Sequence, residues 1–211
     1  MLTIIIPTKN RLPFLCRLLR YYATVECPFP IMIGDSSALK DHEKLLSFID
    51  KLGGRLKIDC ERVVQNPGEM AGQGTIACTV ELIKKVKTPY TVWNPDDDCF
   101  IPKTLEKAVD FLEEHSEYSG AVGSAILFVM KLVGDACGDI EATSRYVQRA
   151  IEHSRASDRL LYNCRNYSVT EFAVKRTGPM LSDWELLLNN KIDSLFGEYF
   201  LSCLLAVRGK I

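Results

Sequence analysis

Leu2-Thr3-Ile4-Ile5-Ile6 opens the chain as an apolar, β-branched run without polar alternation, and Pro7 closes it. Such a run suits a strand covered on both faces, the usual condition of strands in a parallel sheet. Parallel neighbours need a crossover after each strand, and the sequence supplies them. Leu15, Leu18, Leu19 and Tyr22 follow at helical spacing behind Pro13, and Pro28 and Pro30 end that element. Ile31-Met32-Ile33 is a second short strand, closed by Gly34-Asp35-Ser36-Ser37. Leu39, Leu45, Leu46, Ile49 and Leu52 make a second amphipathic helix, stopped by Gly53-Gly54. The pattern then predicts a strand over residues 56–64, a loop with three glycines over 65–74, and a helix carrying Ile76, Val80, Ile83 and Val86. A strand Tyr90–Trp93 and a helix from Pro102 to about residue 115 follow. This alternation predicts an α/β fold with an open, mostly parallel sheet flanked by helices.

Beyond Gly120 the alternation weakens. Residues 121–133 read as a strand, 141–153 as a helix, 170–174 as a strand, and 181–188 and 196–207 as helices, with Trp184 on an apolar face. Residues 162–176, with Asn163, Arg165 and Arg176, read as an edge strand and loop. No repeat, low-complexity tract or linker divides the 211 residues, so one domain is expected, with a first half to about residue 100 and a second over 101–211. The helix-stop signal Arg208-Gly209-Lys210 at the end of the chain raises the expectation of a C-terminal truncation.

Charge narrows the function classes. With 26 Lys+Arg against 27 Asp+Glu the net charge is −1 and the pI about 6.3, so the basic footprint of a nucleic-acid binder is missing. An apolar content of 47% argues against disorder. The longest apolar stretches, 125–130 and 204–207, are far too short for a transmembrane segment. Eight cysteines without a Cys-x-x-Cys, and three histidines with no cysteine pair near them, lack zinc-site spacing. Buried free thiols in a reducing compartment are expected and, with no basic leader before the first apolar run, a cytoplasmic location.

The chemistry concentrates where strands end. Asp96-Asp97-Asp98 follows the strand Tyr90–Trp93. Among 13 Asp in 211 residues an Asp-x-Asp pair arises by chance about 0.8 times, but a triplet only about 0.05 times. Its place at a strand's carboxyl end is where open α/β sheets bind ligands. Three adjacent carboxylates raise one another's pKa unless a cation compensates, and hard divalent cations take such oxygens together with substrate phosphates. A solvated acidic loop before the helix at Pro102 is the plain alternative. Asp35 ends the second strand, so its turn, the Asp96–Asp98 loop and the loop of Pro7, Thr8, Lys9, Asn10 and Arg11 should emerge on one sheet edge. A carboxylate there could accept a hydrogen bond from a base or a ribose; ordinary turn chemistry is the alternative.

Four segments, in order, carry a resemblance. Ile4-Ile5-Ile6-Pro7-Thr8-Lys9-Asn10-Arg11 is similar to the opening Ile-Pro-Thr-x-Asn-Arg of family 2 glycosyltransferases with the GT-A fold. Ile33-Gly34-Asp35-Ser36-Ser37 resembles that family's Val-Asp-Asp-Gly-Ser segment, and Asp96-Asp97-Asp98-Cys99-Phe100-Ile101-Pro102 its Asp-x-Asp metal motif. Phe196-Gly197-Glu198-Tyr199-Phe200-Leu201 resembles the Gly-Glu-Asp segment that supplies the catalytic base. The resemblance implies metal-dependent, inverting transfer of a hexosyl or similar group from a nucleoside diphosphate sugar, a UDP-sugar, to an acceptor left open among glycan, lipid-linked and protein classes. Carried over, Pro7, Thr8, Asn10 and Arg11 would shape the nucleotide pocket with Asp96 and Asp97, and Asp35 would contact the base. Asp96 and Asp98 would hold Mn²⁺ or Mg²⁺, and Glu198 would be the base.

The chain departs from the family pattern in three places. Tyr199 stands in the usual slot of the base, leaving Glu198 as the nearest carboxylate, with Asp183 and Asp193 in reserve. Glu198 could instead be an acidic residue in a helix's first turn. Gly34 stands where many relatives have aspartate, and Pro95 before the triplet leaves the metal register open by one residue. Rival readings are a non-catalytic nucleotide-sugar binder, which Tyr199 would permit, and a nucleotidyltransferase, whose Gly-rich loop after the first strand is not found in residues 7–11. Gly72-x-Gly74-x-x-Ala77 matches a dinucleotide fingerprint with Asp96 about 20 residues on, but it begins several residues after the preceding strand instead of in a tight strand-to-helix turn.

Overall fold

The computed structural model describes residues 1–64, 73–131 and 138–211. Gly68 and Gly72 of the glycine-bearing loop, Gly134 and Cys137 lie outside the described residues. The first half follows the predicted order: β1 (Leu2–Thr8), α1 (Leu12–Thr24), β2 (Ile31–Asp35), α2 (Leu39–Lys51), β3 (Ile58–Arg62), α3 (Gln73–Lys85), β4 (Tyr90–Trp93) and α4 (Pro102–Glu114). Pro13 and Pro102 sit in the first turns of α1 and α4, where a missing N–H costs nothing. Gly53 and Gly54 adopt φ of 64° and 73° behind α2, the left-handed region that ends a helix. The second half adds β5 (Gly120–Ala121), β6 (Ala125–Met130), β7 (Ile140–Tyr146), α5 (Ala156–Arg165), β8 (Val174–Arg176), α6 (Thr177–Asn189) and α7 (Ser194–Arg208).

Six strands form one sheet in the order β3-β2-β1-β4-β8-β5. Strands β1 to β4 pair in parallel, and β8 is antiparallel to both β4 and β5. Every residue of β1 is buried. Leu2, Ile4 and Ile6 pack on one face with Leu15, Leu18, Leu19 and Tyr22 of α1, Leu45 of α2 and Leu112 of α4. Ile5 points the other way, into Ile76, Val80 and Ile83 of α3, Trp184 of α6 and Leu201 of α7. That two-sided burial is the physical reason the opening run lacks polar alternation.

The second half corrects several expectations. Residues 141–153, expected as a helix, hold all of β7 but its first residue, and β7 pairs antiparallel with β6 from Ala125↔Tyr146 to Met130↔Ile140. The segment Glu141-Ala-Thr-Ser-Arg-Tyr146 has no apolar stripe to bury as a helix, and its β-branched and aromatic members suit a cross-strand partner. The single strand expected over 121–133 is two strands, β5 in the main sheet and β6 in the hairpin. The strand expected at 170–174 starts only at Val174, because residues 170–173 form a turn closed by Ala173 N–H to Thr170 O at 3.1 Å. Helix α5 occupies part of the stretch expected as edge strand and loop. The thiols divide: Cys27 and Cys78 are buried as expected, whereas Cys99 and Cys164 are exposed.

Candidate functional site

The parallel ladders bring the expected loops to one edge. Register pairs Thr8 with Asp35 and Ile5 with Trp93, so the chain leaves β1, β2 and β4 side by side at their carboxyl ends. There a cleft of about 280 Å³ is lined by Pro7, Thr8, Arg11, Trp93, Asp96 and Asp97, with Lys9, Ser36, Thr75, Cys78 and Pro95 around them. Asn10 adopts φ of 57°, which asparagine tolerates better than most residues, and its N–H donates to Ser37 Oγ at 2.7 Å. This contact ties the β1 loop to the β2 loop.

Asp96 is the hub. It is only 5% exposed; its Oδ2 accepts from Thr8 Oγ1 at 2.7 Å and its Oδ1 from Arg11 Nε at 2.7 Å. Arg11 Nη2 donates to Asp97 Oδ2 at 2.5 Å. Burial still holds the Asp96 carboxyl above its ordinary value, with the Thr8 hydroxyl and Arg11 pulling it back. Asp98 is also raised, by desolvation first and then by Asp97, with Arg17 opposing. Arg17 Nη2 donates to the Asp97 carbonyl at 3.3 Å, and Arg11 and Arg17 both lie over the Phe14 ring, at 4.5 and 5.3 Å.

The donor set suits a hard divalent cation. Each Asp96 oxygen retains a lone pair beyond its one hydrogen bond, and among the described residues the Asp98 carboxylate accepts none. Among the described residues no group of three or more His, Cys, Asp or Glu side chains forms a cage for an ion. An ion here would therefore complete its shell with oxygens from substrate and water.

Asp35 is 1% exposed and turned inward: Oδ1 accepts from Ser37 N–H at 2.9 Å and Oδ2 lies 3.0 Å from His42 Nδ1. It braces the β2 turn from below and does not line the cleft, where Ser36 stands instead. At Gly34 a Cβ would collide with the Cys78 sulfur and come within 3.2 Å of Leu82 Cδ1, so α3 packs directly on this strand and leaves no room for an aspartate.

On the second-half side, Trp93 stacks on Phe172, with ring centroids 5.8 Å apart. Glu198 lies in the second turn of α7, not the first, and its Oε1 accepts from Tyr167 Oη at 2.5 Å. Tyr199 lies against Tyr167 at 5.3 Å; its hydroxyl is pushed up to about 12, by a hydrogen bond to Cys164 first and by desolvation second. Both reserve carboxylates are committed elsewhere. Asp183 is buried in a bidentate ion pair with Arg208, at 2.6 to 3.1 Å, and Asp193 caps α7 by accepting from the N–H groups of Leu195 and Phe196.

Sequence reasoning passed over the residues that hold the acidic loop still. Tyr22, fully buried, donates its hydroxyl to Asn94 Oδ1 at 2.5 Å, and Asn94 Nδ2 spans the loop to the carbonyls of Pro95, 2.7 Å, and Asp98, 3.0 Å. The available signal was a polar Asn at the strand's end, directly before the proline. Arg17 was also passed over, although Arg11, Phe14 and Arg17 stand three apart on one helix face.

No protein-family profile and no curated protein sequence matches the chain. Solved structures do. The crystal structure of S. aureus TarS 1-349 aligns with 99% of this chain and 56% of its own, at 17% identity and TM-score 0.55. A second S. aureus TarS structure aligns with 86% of this chain and 29% of its own, at 18% identity and TM-score 0.51. The chain thus spans about half, or less, of the structures it matches. A mannosyltransferase from Pyrobaculum calidifontis, in complex with GDP-Man and Mn²⁺, covers 56% of this chain and 34% of its own at 17% identity, with a TM-score of 0.45 that carries no argument. The fold is GT-A, and the structural neighbours are glycosyltransferases. Among the described residues no helix is long and apolar enough to cross a membrane.

Proposed function

We propose that the chain transfers a hexosyl or similar group from a nucleoside diphosphate sugar, UDP-linked, to an acceptor hydroxyl with inversion at the anomeric carbon. The observation that carries this reading is the network of Thr8, Arg11, Asp96 and Asp97 lining a cleft at the carboxyl edge of a GT-A sheet. In this reading residues 1–100 bind the nucleotide and 101–211 the acceptor, within one domain. Pro7, Thr8, Asn10 and Arg11 border the nucleotide. Asp35 sets the turn beneath it.

Asp96 and Asp98 are the proposed holders of Mn²⁺ or Mg²⁺. Such an ion, when bound, offsets the charge that develops on a departing diphosphate. Arg11 and Arg17 extend the positive side of the same loop, and Glu198 is the carboxylate proposed to take the acceptor's proton.

Thermal melting with UDP, with and without Mn²⁺, on the natural chain and on Asp98→Ala tests the reading. Stabilisation that needs both ligands and disappears in the variant supports it. No shift with either metal refutes the site. Tyr199 in the usual slot of the base favours a second reading, a binder without turnover; UDP and metal binding without consumption of any UDP-sugar would establish that one.

A further inference from the structure

We infer that β6 is the surface through which two copies of this chain associate. The two β6 edges pair antiparallel about a two-fold axis and merge the hairpins into one sheet of order β7-β6-β6-β7. The pairing is independent of the sugar-transfer reading.

Ala125-Ile126-Leu127-Phe128-Val129-Met130 runs without polar alternation, the same signal that marks β1 as a strand covered on both faces. Strand β1 meets that rule, since all its residues are buried. Strand β6 breaks it. Ile126 and Phe128 point to one face of the hairpin, Leu127 and Val129 to the other. All four are exposed nonetheless, from 40% at Phe128 to 69% at Ile126, and so is Ile140 of β7. Among the described residues β6 pairs with β7 alone, so its second edge offers N–H and C=O groups to a further strand.

The hairpin is held at both ends. At its root Tyr146 Oη accepts from the Val169 N–H at 3.0 Å and Gln148 Nε2 donates to the Val169 carbonyl at 2.7 Å. At the far end of β6, Arg17 Nη1 of α1 donates to Met130 Sδ at 3.3 Å. Between these anchors β6 is exposed along its length, a strand presented in fixed geometry. Two strands alone are marginal in water, and three or more make a sheet that stands by itself.

The charges select the edge and the occupant. Strand β6 carries no charge, proline or glycine, whereas β7 carries Glu141 and Arg145, and Glu141 is the extra residue of a bulge between Ala142 and Ile140. Charges and bulges guard an edge against pairing, so β7 is protected and β6 is open. A second copy supplies an uncharged strand for the centre and a guarded strand for the outside in one unit. The merged sheet then has no open edge left, and assembly stops at two. Residues opposite one another in such a pair share a face, so Ile126 and Phe128 of both copies meet on one side, and Leu127 and Val129 on the other. Joining two copies removes on the order of 1,000 Å² from water, the size at which specific interfaces begin.

Sedimentation velocity of the full chain from about 1 to about 100 µM reads the assembly. The mass should rise from 23.8 kDa towards twice that value, with a midpoint of about 10 µM for an interface this small. Leu127→Lys puts a charge between the paired strands and should raise the midpoint by about tenfold or more, whereas Thr143→Lys on the outer strand should leave it within about twofold. Both positions are exposed in the single chain, so melts taken below the midpoint should coincide and show both variants folded. Amide hydrogen exchange of the unaltered chain gives a readout free of variants: amides of residues 125–130 should exchange about tenfold more slowly above the midpoint than below it. A chain that stays monomeric throughout overturns the proposal, as does a dimer that Leu127→Lys leaves intact or that Thr143→Lys breaks equally. Flotation of a monomeric chain with phosphatidylcholine–phosphatidylglycerol vesicles, lost in Leu127→Lys, would also overturn it and assign β6 to a lipid surface.

Discussion

Removing the Arg11 guanidinium is the most direct probe of how the acidic loop is held. Arg11 gives Asp96 a charge-assisted hydrogen bond at 2.7 Å and Asp97 another at 2.5 Å, and stacks on Phe14. The Asp97 pair is exposed on both sides, at 42% and 45%, so solvent screening leaves it under about 1 kcal/mol. The Asp96 bond counts for more, about 1.5 kcal/mol, because one partner is buried and a second donor, Thr8, remains behind. Arg11→Ala should therefore cost about 2 kcal/mol, or about 4–8 °C in Tm for a chain of this length. The deficit has a signature in pH. Burial already raises the folded Asp96 pKa above its unfolded value, and loss of Arg11 raises it further. For an acid raised on folding the penalty falls on the ionised form. It is full above the folded pKa and fades as the pH drops through that value towards the unfolded one. Melting the two proteins side by side from about pH 7.5 down to about pH 4 should show their Tm difference shrinking on acidification. A difference that stays constant, or grows, would refute the view that Arg11 is the counter-charge of Asp96.

Three further perturbations test neighbouring parts. Tyr22→Phe strips the donor from buried Asn94 Oδ1 and should cost about 1–3 kcal/mol in thermal or urea melting, whereas a neutral result would mean that Asn94 finds another donor. Gly34→Ala drives a methyl into the Cys78 sulfur, a loss of about 1–3 kcal/mol that Cys78→Ala should largely restore in a double-variant melt. Glu171→Gln removes a buried acid whose folded pKa, about 7, exceeds its ordinary 4.5; it should stabilise the chain by up to roughly 3 kcal/mol above about pH 7. That gain should vanish as the pH falls towards 4.5, and an equal gain at both ends would rule out titration as its source.

The first half was legible because each rule used there is local. The all-buried β1 run, the proline-opened helices and the Gly53-Gly54 stop needed no knowledge of distant residues. Once the strands were parallel, the meeting of the Thr8, Asp35 and Asp96 loops followed from topology alone. The second half failed where partners decide. Glu141-Ala-Thr-Ser-Arg-Tyr146 is a strand because β6 lies opposite, and neither segment states that by itself. Side-chain direction was equally hidden. Asp35, expected to contact the base, has one oxygen on Ser37 N–H and the other 3.0 Å from His42 Nδ1, an arrangement no local pattern announces.

The direction of β8 explains why the second half reaches the cleft edge. Its ladder with β4 pairs Thr91 with Lys175 and Tyr90 with Arg176, antiparallel. Following that register, the residues before Val174 run past Trp93 towards the loop after β4, where Phe172 meets the Trp93 ring. A parallel β8 would have delivered the turn 170–173 to the amino edge of the sheet, far from Asp96. The antiparallel insertion places the start of β8 at the carboxyl edge instead, beside the ends of β1, β2 and β4. Helix α7 is then fastened to that turn through Ser202 and Thr170, which brings Glu198 along. One reversed strand in a parallel sheet is enough to set the turn 170–173, through Phe172, against Trp93 at the edge that carries the acidic loop.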